Sequence, residues 1–170
     1  MRLWLLAPLF VCGAALIGNP VAAQQTPAPV PEAMPFDIPY GASIGIDRAK
    51  TIAAAAVAEA RRHNWKLVVS VVDANGDLLY LERMDGAQLA SITISEGKAR
   101  EAARYRRSTD TWEQRANGGT PSVLSLPGVI ASAGGFPLVA SGRIVGAIGC
   151  SGGLSSQDAV ACKAGADTVK

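Results

Sequence analysis

The ionisable side chains crowd around one stretch of sequence. Asp73, Asp77, Glu82, Arg83 and Asp85 surround a predicted hairpin, and Lys98 sits on the helix that follows. Strand alternation places Arg83 and Asp85 at the hairpin exit, where they can pair and where Lys98 adds a third charge. With Asp73, these residues could hold a small oxygenated acid. They could equally be a solvated turn, since an exposed ion pair contributes only about 0–1 kcal/mol. A second candidate is Gly149-Cys150-Ser151-Gly152-Gly153, which runs from a strand into a helix start. Backbone N–H groups at such a place can hold an anion, and Ser151 with Gly152 and Gly153 would form the polar loop. The lysine of a nucleotide-phosphate loop is missing, and a plain tight turn is the competing reading.

Other chemistries lack their residues. His63 is the single histidine, at a predicted helix end beside Arg61 and Arg62 and with no nucleophile motif nearby. A structural zinc site needs about four Cys or His ligands, more than His63, Cys150 and Cys162 supply. The C-x-x-C-H attachment pattern is absent. Cys150 and Cys162 could form a disulfide in an oxidising compartment if their Cα atoms approach within about 7 Å, or could stay as buried thiols.

The elements that position these groups can be read from periodicity. Ile46 to His63 carries apolar residues at the 3-4 spacing of a buried helical stripe, mostly alanine. Leu67 to Val72 is a strand, Asn75-Gly76 a hairpin turn, and Leu78 to Glu82 the returning strand. Ser91 to Arg107 is a second helix, although Gly97 weakens it by about 1 kcal/mol. Thr109 to Pro127 reads as loops with a short helix, Val129 to Ser132 as a strand, and Gly134 to Pro137 as a turn. Leu138 to Ala140 and Arg143 to Cys150 form a second hairpin, and a last helix starts near Ser155 or Ser156. Hairpins alternating with helices define an α+β domain with an antiparallel sheet.

The N-terminal region has a different character. Met1-Arg2, an apolar run from Leu3 to Ile17 and small residues at Val21-Ala22-Ala23 follow the order of a cleavable secretory signal over residues 1–23. The run is shorter than the roughly 20 residues that span a bilayer, so no stable membrane insertion is expected after cleavage. Residues 24–40 carry five prolines and read as a flexible tether. Residues 41–170 are then one domain, expected to be periplasmic or secreted. The net charge of +2 and the lack of a basic block interleaved with aromatics argue against nucleic acid.

An ordered series of short motifs completes the reading. Val71-Val72-Asp73-Ala74-Asn75-Gly76-Asp77-Leu78, Glu82-Arg83-Met84-Asp85-Gly86-Ala87, Gly97-Lys98-Ala99, Gly134-Gly135-Phe136-Pro137-Leu138, Val145 to Gly153 and Gln157-Asp158 together resemble the GlcG/HbpS-like haem-binding family, which includes the C-terminal domain of PduO-type proteins. The resemblance implies a profilin-like fold with a five-stranded antiparallel sheet flanked by helices. It also implies a homo-oligomer, an octamer in some members, and haem as the ligand, held, sensed or broken down. Arg83 and Lys98 would then contact the propionates, and the Ser151 loop would supply backbone contacts. His63 and Tyr105 are the candidate iron ligands, with Tyr80, Met84 and Cys150 further options by chemistry alone. Two departures stand out: Glu101 replaces a threonine of the usual Lys-Ala-x-Thr-Ala pattern, and Cys150 replaces a valine. A binding protein is expected rather than a turnover enzyme. A module for a small organic acid, or a structural oligomer without catalysis, is the alternative.

Overall fold

The computed structural model describes residues 29–170. The signal at 1–23 and the first residues of the tether lie outside the described residues. The chain divides into Met1–Ala33 and Met34–Lys170. The described part of the first unit, residues 29–33, holds no helix or strand.

The second unit is a sheet between two helical layers. Helix α1 (Ile46–Arg62) buries Ala49, Ile52, Ala53, Ala56, Val57 and Ala60. Asp47 in its first turn and Arg61 and Arg62 in its last complement the helix dipole. His63 caps the helix rather than extending it. Strands β1 (Val68–Asp73), β2 (Leu78–Arg83), β3 (Gly135–Ala140) and β4 (Arg143–Ser151) lie in the order β2-β1-β4-β3, every neighbour antiparallel. Period-two alternation divides their side chains between two faces. Val69, Val71, Ile148 and Cys150 pack with α1 and with α4 (Ser155–Ala166). Val72 and Ala147 pack with Ala99, Ala102 and Ala103 of α2 (Ser91–Tyr105). Between α2 and β3 the chain forms α3 (Asp110–Asn117) and a 3-10 turn (Pro121–Ser125). Among the described residues, no helix is long and apolar enough to cross a membrane.

Four expectations need correction. The sheet has four strands among the described residues, not five. Val129 to Ser132 is irregular, because its surroundings bond to side chains instead of a neighbouring strand. The Ile130 N–H donates to Glu101 Oε2 at 2.9 Å and the Ala133 N–H to Glu113 Oε2 at 2.9 Å. The expected turn at Gly134 to Pro137 is largely strand, since β3 begins at Gly135. Chain packing also starts before Gly41. Arg107 lies 3.3 Å over the Phe36 ring, Ile144 N donates to Pro39 O at 2.9 Å, and Tyr40 bridges Ile144. The end of the proline-rich stretch is therefore part of the fold.

Cys150 and Cys162 form a disulfide, with Cα atoms 5.6 Å apart, tying β4 to α4. On the other face α2 lies almost directly on the sheet backbone. A Cβ at Gly149 would stand 2.1 Å from Ser95 O and 2.5 Å from Ala99 N. Both contacts are backbone atoms that cannot step aside. Gly149→Ala should therefore lower the unfolding free energy by about 2–3 kcal/mol, as forced overpacking does. Urea denaturation would read this as a lower midpoint at unchanged slope.

Candidate functional site

The interface between α2 and the sheet is polar as well as tight. Lys98, 1% exposed, donates from Nζ to Asp158 Oδ2 at 3.0 Å and to Ala133 O at 2.7 Å. Asp158 Oδ1 in turn accepts the Gly153 N–H at 3.0 Å. Burial pushes the Asp158 carboxyl above its ordinary range, while Lys98 and the Gly153 N–H pull it back. Ser70 Oγ and Ser95 Oγ lie 2.8 Å apart, and Ser151 Oγ donates to Ser91 Oγ at 3.1 Å. Lys98 is thus a buried structural cation. The Ser151-Gly152-Gly153 loop has its Gly153 N–H taken by Asp158, and Ser151 is 3% exposed. The chain's own Asp158 carboxylate thus takes one of the N–H groups that this loop offers to an anion.

The hairpin cluster is dispersed. Asp73 Oδ1 accepts the N–H groups of Asn75 and Asp77 at 2.8 and 2.9 Å, closing the turn. Arg83 pairs with Val68 at the other end of β1, roughly 16 Å away at strand spacing. The Arg83 guanidinium donates to Ala87 O at 3.3 Å, and Asp85 is exposed. Asp73 therefore does not converge with Arg83 and Asp85 on one ligand. Of the iron-ligand candidates, His63 bonds Glu59 Oε1 at 3.0 Å and stacks on Trp65. Met84 is buried, Cys150 is in the disulfide, and Tyr80 donates to Glu82 Oε2 at 3.2 Å. Burial, then the Glu82 charge, raises the Tyr80 hydroxyl above its ordinary pKa. Tyr105 is different, because it lines a cleft.

That cleft, about 190 Å³, lies between the outer face of α2 and the segment Pro127–Ile130. Gly97, Arg100, Glu101, Arg104 and Tyr105 form its helical wall. The missing side chain at Gly97 admits Ile130: a Cβ there would lie 2.4 Å from Ile130 Cδ1. The roof is pinned at both ends, by Tyr105 Oη donating to Pro127 O at 2.9 Å and by Glu101 Oε2 accepting from Ile130 N. Arg100 and Arg104 each anchor Nε on the hairpin turn, to Gly76 O and Asn75 O at 3.1 and 3.0 Å.

Glu101 is the exceptional residue here. It is 2% exposed, and its Oε1 has no hydrogen-bond partner among the described residues. Burial raises its pKa from 4.5 to about 7, against the lowering effects of the Ile130 N–H and the Lys98 charge. The sequence marked this position only as a departure from a threonine. The mid-helix Gly97 was the other visible signal, read there as a weakness. The pairing of either with Pro127–Ile130 depends on a tertiary contact.

The geometry sits within a known family. A family model described as haem degrading protein HbpS-like matches residues 44–167. The chain belongs to this HbpS-like haem-degrading family. Protein GlcG of Escherichia coli K12 is 41% identical over 103 residues, covering 61% of this chain and 77% of GlcG. A crystal structure of a Streptomyces reticuli HbpS double mutant superposes with a TM-score of 0.70 at 30% identity, covering 85% of this chain and 99% of that one. A PduOC:heme complex gives a TM-score of 0.67 at 27% identity, over 75% of this chain and 96% of that one.

Glu101 carries a pH-dependent cost. Its folded pKa lies above its unfolded one, so its contribution is most favourable below about 4.5 and is lost as pH rises through about 7. The loss is about 3 kcal/mol, on the order of 5–10 °C in melting temperature. Glu101→Gln keeps an acceptor for Ile130 N–H and cannot ionise. Melting curves at pH 5.5 and 8.5 should show the wild type losing about 2 kcal/mol, the part of this loss that falls above pH 5.5, and the variant losing none of it. Equal losses in both would remove Glu101 as the cause.

Proposed function

We propose that this protein binds haem, and that the α2 cleft receives part of the haem. The observation that carries the reading is the cleft itself: an apolar roof of Pro127, Val129 and Ile130 over a buried carboxyl with an unpartnered oxygen, in a chain of the HbpS-like family. An unsatisfied buried oxygen is costly, and a bound group can satisfy it. Haem would supply the iron and the redox chemistry. Val129 and Ile130 would cover an apolar ring edge, Arg104 would meet a propionate, and Tyr105 is the sequence-derived ligand candidate on the cleft wall. The neighbour solved as a PduOC:heme complex supports the choice of haem.

The cleft is smaller than the roughly 300–1,000 Å³ of most cofactor pockets. A second copy of the chain would complete it. Leu124 and Leu126, 56% and 39% exposed, directly precede the roof and offer an apolar surface for that contact. Such a protein holds haem rather than turning over a substrate quickly. The signal-like residues 1–23 and the disulfide both favour a working place outside the cytoplasm.

A hemin titration of the protein from Met34 onwards tests the reading. A saturable Soret band should appear, and Arg104→Ala should weaken binding by about tenfold, the effect of one lost hydrogen bond to a charged group. An absorbance indistinguishable from free hemin at stoichiometric concentration would refute it.

A further inference from the structure

Glu101 also points to the chemical group that the cleft recognises. Its side chain is buried at the cleft wall, with one oxygen holding the roof and the other without a partner. The ionised wall residues around it are cationic. Arg100 and Arg104 line the cleft, and no Nη hydrogen bond of Arg104 is made among the described residues. Arg100 is already paired with Glu96, whereas Arg104, without such an Nη bond, has its nearest carboxylate among the described residues, Asp77, at 4.0 Å, so Arg104 is the wall cation that would repel a ligand cation and attract an anion. A buried carboxylic acid that stays neutral can donate its proton to an anionic oxygen.

We propose that the cleft binds its ligand through a carboxylate that shares a proton with Glu101 and places its charge beside Arg104. About 190 Å³ accommodates a short carboxylate-bearing arm or a small free acid. The carboxylate therefore has two sources: a haem propionate, which rests on the haem reading, or a free small organic acid, which does not.

Proton sharing fixes the direction of the pH dependence. With a pKa of about 7, Glu101 carries its proton in mildly acidic solution. A bound carboxylate at hydrogen-bond distance raises that pKa further, because two like charges cannot both ionise there. Binding is then coupled to proton uptake and weakens by up to about tenfold per pH unit above neutrality. The other charged groups near Glu101 are otherwise engaged. Lys98 is bound to Asp158, Arg100 pairs with Glu96, Glu113 accepts from Ala133 N and Ser155 Oγ, and Asp77 lies 4.0 Å from Arg104. The roof segment Pro127–Ile130 contains no ionisable side chain.

The test is a pair of titrations, with sodium propionate followed by NMR and with hemin followed by absorbance, each at pH 6 and pH 8. Both use wild type and Glu101→Gln, whose amide can donate to a carboxylate at either pH. The proposal expects at least one probe to bind wild type up to about tenfold weaker at pH 8 than at pH 6, and the variant to bind that probe equally at both pH values. A slope for hemin alone identifies the propionate as the source, and a slope for propionate identifies a free acid; either supports the proposal. Wild-type affinities that are flat or rise with pH, or a variant with the wild-type slope, overturn it. A Soret band without any such slope would leave haem binding standing and remove the shared proton. Propionate binding with the slope but no Soret band would do the reverse.

Discussion

The buried contact between Lys98 and Asp158 is the constraint on which the rest depends. It joins α2 to the first turn of α4, and through Ala133 O and Gly153 N it also fixes the entry to β3 and the exit from β4. Removing one partner of such a pair leaves an uncompensated charge, a loss of about 3–5 kcal/mol, whereas the intact pair can contribute little net stability. Its value lies in position. With Lys98 held inward and Gly149 admitting the helix backbone, the neighbouring α2 residues at 97, 100, 101 and 104 have a fixed outward bearing.

That bearing separates two kinds of polar residue on one helix. Ser91, Ser95 and Lys98 face the sheet, where each finds a partner. Glu101 lies one turn on, under the roof, and is only half satisfied. A fully paired network rigidifies a fold, and an incompletely paired group stores unfavourable energy that a ligand can release. The same helix thus serves as a structural beam along one edge and, in the proposed reading, as a binding wall along the other.

Much of the fold was legible in the sequence. The alanine spacing of α1, the Asn75-Gly76 turn and the helix-hairpin alternation are local signals, and the observed elements follow them closely. Val129 to Ser132 misled, because its apolar run resembles a strand although Glu101, far away in the chain, accepts from Ile130 N and Glu113 accepts from Ala133 N just beyond it. The site was less legible for a related reason. Lys98 and the Gly152-Gly153 loop carry residue types that suit ligand binding, but sequence spacing does not reveal that Asp158 already occupies both. Asp73 and Arg83 look adjacent until the register places them at opposite ends of β1. The one departure noted at Glu101 was the productive clue, and burial gave it meaning.

The central claim is that ligand meets the outer face of α2 and not the hairpin exit or the Ser151 loop. Amide NMR spectra of the labelled protein with and without hemin test this most directly. The account predicts perturbation or paramagnetic broadening concentrated at Gly97, Glu101, Gly128 and Ile130, with Arg83–Gly86 and Ser151–Gly153 unaffected. Changes centred on Arg83–Gly86 or on Ser151–Gly153, with the α2 cleft silent, would contradict it.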